Sequence, residues 1–175
     1  MLKQLSKLMP LVLVAVLFAT SAIPAFAIKP EERTTIVDVA LAVNEDNGEF
    51  SILIAALQAA DPAVIATLDG NGQFTVFAPT DDAFAALGFT ADNIDELPQS
   101  FLTDVLLYHV AHGRRYASDV LASDRIRTLQ RGFLFQDGGV LTDNLGRTAN
   151  IIVTDVEAAN GIIHAIDAVV LPYAP

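Results

Sequence analysis

The segment Asn160-Gly161-Ile162-Ile163-His164-Ala165-Ile166-Asp167-Ala168-Val169-Val170-Leu171-Pro172 constrains this chain more than any other. A turn dipeptide opens it, a nearly unbroken apolar run follows and a proline ends it, the pattern of a long strand leaving a tight turn. Alternation places His164 on the face of Ile162 and Ile166, hence toward a core, and Asp167 on the other face, free to bond backbone or a turn. A second block, Thr75-Val76-Phe77-Ala78-Pro79-Thr80-Asp81-Asp82-Ala83-Phe84, runs from a strand into a helix. Pro79 ends the strand because it cannot donate to the ladder. Thr80 can cap the helix through its hydroxyl, and Asp81 and Asp82 suit the positive end of its dipole.

Between and before these blocks the periodicity changes once. Ile36, Val39, Ala40 and Val43 recur at helical spacing until Asn47-Gly48, and Phe50, Leu53, Ile54 and Leu57 repeat it. Asp61-Pro62 reads as a cap with proline at the first helical position, and Asp69-Gly70-Asn71-Gly72 stops that third helix. After Phe84 and Leu87, both expected in the core, Gly88 closes a helix, Thr90 opens a short one, and Pro98 starts another carrying Phe101, Leu102, Val105 and Leu106. From Tyr108 the character is strand, with Val110, Tyr116 and Val120 around His112-Gly113. Residues 125–129, 133–136 and 140–142 form a meander divided by glycines, and residues 149–156 and 161–171 are the strongest strands, joined by a four- or five-residue hairpin connection. Helices crowd the first half and strands the second, an α+β arrangement.

Residues 1–27 have the pattern of a secretory signal peptide: Lys3 and Lys7, then an apolar stretch, then Ala25-Phe26-Ala27 as a cleavage site. The alternative is a retained anchor, since Leu8 to Ala27 carries no charge over roughly the length that spans a bilayer. Cleavage leaves a short lead-in over residues 28–34, one domain over residues 35–172 and a tail of residues 173–175, with no transmembrane span. It also leaves 8 basic residues against 21 acidic ones, a formal charge of −13. Such a surface repels phosphate backbones, so nucleic acid is not an expected partner. The chain has no cysteine, so packing rather than disulfides must stabilise it outside the cytoplasm.

Together with Leu106-Leu107-Tyr108-His109-Val110, the two bracketing blocks resemble the signature segments of the fasciclin domain, over residues from about Thr35 to Leu171. That resemblance implies a fasciclin-like fold, a β-wedge of short strands packed against several short N-terminal helices, here as the single-domain exported microbial form. Its structural signature falls on Phe77, Pro79, Thr80, Phe84, Asn160, Gly161, His164 and Asp167. It also implies adhesion or a matrix contact by a secreted monomer, extracellular or periplasmic. In animal relatives cell-surface contact is assigned to an Asp-Ile pair before the Asn-Gly turn and to the Tyr-His segment, which makes Asp155-Val156 and Tyr108-His109 the candidate interaction residues. Val153-Thr154 stand where that pattern has Glu-Pro, and Glu157 replaces an apolar residue. A protein or polysaccharide of the matrix or envelope therefore fits better than an integrin.

Chemistry finds little support in the residues. His109 and His112 are three apart, but the helix ends near Tyr108 and no third ligand stands at useful spacing, so no metal is expected. No Gly-x-Ser-x-Gly elbow, phosphate-cradling loop or complete calcium loop occurs, and the paired carboxylates Asp81-Asp82 and Asp95-Glu96 suit helix starts. The expectation is a protein without catalytic residues or cofactor. An alternative function is carriage of an apolar small molecule such as a carotenoid, as in similar algal proteins, in a slot lined by Ile36, Leu53, Leu57 and Ile65.

Overall fold

A computed structural model describes residues 33–174; the expected signal peptide, most of the lead-in and the last residue of the tail lie outside them. Helix α1 (Ile36–Asn47) begins in a capping box in which Thr35 and Asp38 bond each other's backbone N–H, and Gly48 ends it at φ 71°. Helix α2 (Ser51–Ala59) has no side-chain cap of its own; the Asp81 carboxylate, far along the chain, accepts the Ile52 N–H at 2.9 Å. Helix α3 (Pro62–Leu68) starts on the Asp61 cap as expected.

Strand β1 (Phe74–Pro79) leads into helix α4 (Asp81–Ala85). Thr80 stands at the cap position, yet its hydroxyl makes no capping bond, and its N–H is tied to the Ile166 carbonyl instead. Phe84 is buried, but Leu87 is exposed, two residues beyond the end of α4 at Ala85. A 3-10 turn (Ile94–Glu96) and helix α5 (Gln99–Tyr108) complete the helical layer. Strand β2 (Val110–His112) follows. Tyr116 and Val120, expected on strand, belong to the cap and the body of helix α6 (Ala117–Leu121).

The remaining strands are β3 (Arg125–Arg127), β4 (Phe133–Asp137), β5 (Val140–Thr142), β6 (Thr148–Ala158) and β7 (Gly161–Ile166). They form one sheet in the order β2-β1-β7-β6-β5-β4-β3, in which only β1 and β7 are parallel. The sheet curls until its ends meet, Ala111 of β2 bridging Thr128 just after β3. The curl encloses a wholly buried cluster of Phe77, Tyr108, Val120, Ile126, Leu134, Leu141, Ile166 and Val170. On the other face of β1 and β7, Val76, Ala78, Ile163 and Ala165 meet the stripes of α1, α2 and α5. Every residue of β1 and β7 is buried, as befits a parallel pair covered on both faces.

The β6–β7 connection is tighter than expected, with Ala159 and Asn160 alone between paired Ala158 and Gly161. Asn160 is fully buried: its Oδ1 accepts the Ile36 N–H at 2.8 Å and its Nδ2 donates to the carbonyls of Leu68 and Gly70. One amide thus holds the start of α1 and the end of α3 against β7. Gly161 is needed because a Cβ there would strike the Phe74 carbonyl and Ile36.

Candidate interaction site

The parallel pair carries the polar side chains on which the site is built. His164 is fully buried and faces its register partner Phe77, the two rings stacked 5.7 Å apart. Its Nε2 donates to the Arg115 carbonyl at 3.0 Å, while Nδ1 accepts the Asp155 N–H at 3.3 Å. That pattern selects one neutral tautomer. Thr75, equally buried on β1, donates its hydroxyl to the Gly113 carbonyl and accepts the Arg115 N–H. Asp155 adds a third point, its carboxylate capping the Ala117 N–H of α6 at 2.7 Å. The loop over residues 113–117 is therefore clamped from β1, β6 and β7 at once.

His109 has the opposite tautomer. Its Nδ1–H donates to the Val105 carbonyl at 2.8 Å, and Nε2 accepts the Val170 N–H. Burial drives this imidazole down to about 4, against the opposing pull of the Val105 bond and the Asp143 charge. The His109 carbonyl accepts the Phe77 N–H, so the Tyr-His segment and His164 hold Phe77 from two sides. The Tyr108 hydroxyl donates to the Phe133 carbonyl at 2.6 Å, and burial raises its pKa. Gly132 makes room for that ring, since a Cβ would sit 2.7 Å from it.

Of the four candidate interaction residues, Tyr108 and His109 lie in the interior, with no side-chain surface to offer in the closed fold. Asp155 is exposed at φ 60°, in a stretch of β6 where the register with β7 slips twice, and Val156 is half-buried beside it. The slips leave Ile152 and Val153 52% and 45% exposed. Val153, with Val43, Phe50 and Val156, lines an apolar groove of about 220 Å³. Asp167, on the outward face, bonds the backbone and side chain of Asn150.

The apolar slot expected at Ile36, Leu53 and Leu57 is a void of about 30 Å³, room for little more than a water molecule. Ile65 does not line it. An apolar ligand of carotenoid size needs a pocket of roughly 300 Å³ or more, so these helices would have to part to admit one. Among the described residues no three His, Asp or Glu side chains gather as a metal site. No single described helix is long and apolar enough to cross a membrane.

A fasciclin domain model matches residues 48–172. The chain belongs to the fasciclin domain family. It is 39% identical over 146 residues to Protein sll1483 of Synechocystis sp., covering 81% of this chain and 76% of that protein. It is 37% identical over 134 residues to Immunogenic protein MPT70 of Mycobacterium tuberculosis, covering 74% of this chain and 66% of the relative. Against transforming growth factor-beta-induced protein ig-h3 of Sus scrofa it is 34% identical over 143 residues, but spans only 20% of that longer protein. Among solved structures, a FAS1 domain pair from the insect cell adhesion molecule Fasciclin I superposes with a TM-score of 0.56 at 21% identity, over 74% of this chain and 47% of that one. That likeness confirms the α+β fasciclin fold.

Several residues of this fasciclin domain escaped the sequence reading. Asp81 stands in the first turn of α4 as expected, and its carboxylate also caps α2. Buried Asp143 accepts from the N–H groups of Leu145, Arg147 and Leu171 and from the Arg147 guanidinium. Burial alone would raise that carboxyl, but those donors outweigh it and hold it below the usual carboxylate range. Asp143-Asn144-Leu145-Gly146 has the aspartate and glycine of a type I turn, which was the available signal.

Proposed function

We propose that this fasciclin domain is an exported, non-enzymatic contact module that binds a component of the cell envelope or matrix, with Asp155, Val156 and their neighbours as part of its contact surface. The observation that carries this reading is the slipped stretch of β6. There a sheet whose β1 and β7 are wholly buried leaves the neighbouring Ile152 and Val153 open beside Asp155, on a chain of acidic net charge. Exposed apolar side chains rimmed by charge are the composition of a protein contact site. Tyr108, His109 and His164 support that surface from within by fixing β7 and the strands beside it, and Asp167 ties the end of β7 to Asn150 of β6 on the outward face. Export rests on the pattern of residues 1–27.

The test is surface attachment and aggregation of a deletion strain of the native host, complemented with the wild-type chain or with Ile152→Glu/Val153→Glu. Loss on deletion, rescue by wild type and failure of the double variant at normal secreted levels are expected. Unchanged attachment on deletion overturns the contact role, and full rescue by the double variant overturns the assigned surface.

A further inference from the structure

The basic residues of this acidic chain are not spread evenly. Of the 8 that follow residue 27, six lie between Arg114 and Arg147, and three of those meet at the seam where the curled sheet closes. Arg115, Arg127 and Arg131 line an open cleft of about 510 Å³ with His112, Thr128 and Leu129. Among the described residues none of these three arginines has a carboxylate within 4.0 Å, whereas Arg114 and Arg147 pair with Glu157 and Asp143. We propose that this cleft is a binding site for the carboxylate or sulfate groups of an acidic polysaccharide. The assignment rests on the reading of the chain as an envelope or matrix contact module, and adds a glycan partner at a site apart from the apolar β6 stretch.

Three features single the cleft out from an ordinary solvated surface. First, Arg115 is positioned by the fold: its N–H is bound by buried Thr75 and its carbonyl by buried His164, so both signature strands anchor this one residue. Second, the Arg115 Nε is buried without an acceptor among the described residues. With no carboxylate from the described residues on it either, the guanidinium is left to an oxyanion in the cleft, which its planar fork can grip at two points. Third, Arg131 holds φ 79°, a left-handed conformation that a glycine would adopt without strain. The turn is thus strained around the one side chain that completes the cleft with Arg127.

Charge complementarity decides the class of partner. Three unpaired guanidinium groups on a chain with 21 acidic residues against 10 basic ones, a formal charge of −11, give a local positive field surrounded by repulsion. A stiff polyphosphate or a flat anionic membrane would run from the cleft onto that acidic surface. A flexible glycan with one acid per sugar or two can place a few oxyanions in the cleft and lead its ends into solvent.

The test is binding of the purified secreted chain to fluorescent dextran sulfate, polygalacturonate, uncharged dextran and a double-stranded oligonucleotide, at low and at physiological salt. Binding to one or both acidic glycans, weakened by salt and absent with dextran, is expected. Arg127→Glu/Arg131→Glu should weaken it by about tenfold or more, the scale of charge-assisted contacts. Arg33→Glu, outside the cleft, should leave it unchanged. Arg131→Gly separates binding from folding: relief of the left-handed strain keeps the melting temperature at or above wild type while affinity falls. No glycan binding at low salt, equal loss in the Arg33 control, undiminished binding in the cleft variants, or equal affinity for the oligonucleotide would each overturn the proposal. If deletion abolishes attachment but Arg127→Glu/Arg131→Glu restores it, this cleft assignment falls and the contact role stands. If deletion has no effect, the contact role itself falls, whatever the purified chain binds.

Discussion

Replacing Asn160 by Ala removes the one side chain that bonds α1, α3 and β7 together. Three bonds are lost, one to the Ile36 N–H and two to the carbonyls of Leu68 and Gly70, all at a residue with no exposed surface. A typical net contribution of about 1 kcal/mol per bond gives about 3 kcal/mol, and buried partners left unmet push the cost upward. For a domain of this size that is a fall in Tm of about 10 °C. Urea unfolding should show the midpoint moving down with an unchanged slope, the sign of lost stability rather than altered compactness. Asn160→Asp is the sharper variant: it keeps the acceptor for Ile36 but turns an oxygen toward two carbonyls, and should be no more stable than the alanine variant. A loss below about 1 kcal/mol for alanine, or a wild-type midpoint for aspartate, would refute the three-way anchor.

Gly161→Ala should cost about 2–3 kcal/mol through overpacking, because the new methyl meets the Phe74 carbonyl and Ile36; wild-type stability by urea unfolding would contradict that close approach. Asp155→Ala should cost about 1–2 kcal/mol by removing the cap on α6 and a residue tolerant of left-handed backbone, with Asp155→Asn recovering most of it in the same assay. His109 gives a pH dependence. Its folded pKa of about 4 lies below the ordinary 6.5, so the unfolded chain binds the proton more readily. Its contribution is fully present above pH 6.5 and is lost as pH falls toward 4, about 3 kcal/mol in all. His109→Gln should flatten that part of the stability profile measured from pH 7 to 4.5; a variant with the wild-type slope would show that the imidazole is not the group responsible.

The helices were legible where local chemistry fixes them. Asp61 and Gly48 mark ends that depend on neighbours in sequence, and each does so in the structure. The sheet was legible in content but not in topology. Alternation alone buries His164, yet all of β7 is buried because β1 lies parallel beside it and helices cover the pair, a fact no local window contains. Val120 lies in a five-residue helix too short to show a period, and part of the cap on its start comes from Asp155, 38 positions away. Of the candidate site, the sequence named Asp155, His109 and His164 but not the loop that Asp155 and His164 hold. Arg115 is bound through its backbone, which leaves no trace in residue type.

The account holds that the signature histidines are internal struts whose ring nitrogens are committed to backbone groups, and that partner contact happens on the surface they support. Long-range nitrogen–proton correlation of the imidazoles at pH 8 reads this directly. The prediction is a single, opposite tautomer for each, Nε2–H at His164 and Nδ1–H at His109, with both ring protons protected from solvent exchange. A rapidly exchanging mixture of tautomers at His164 would place its ring in contact with solvent and contradict the account.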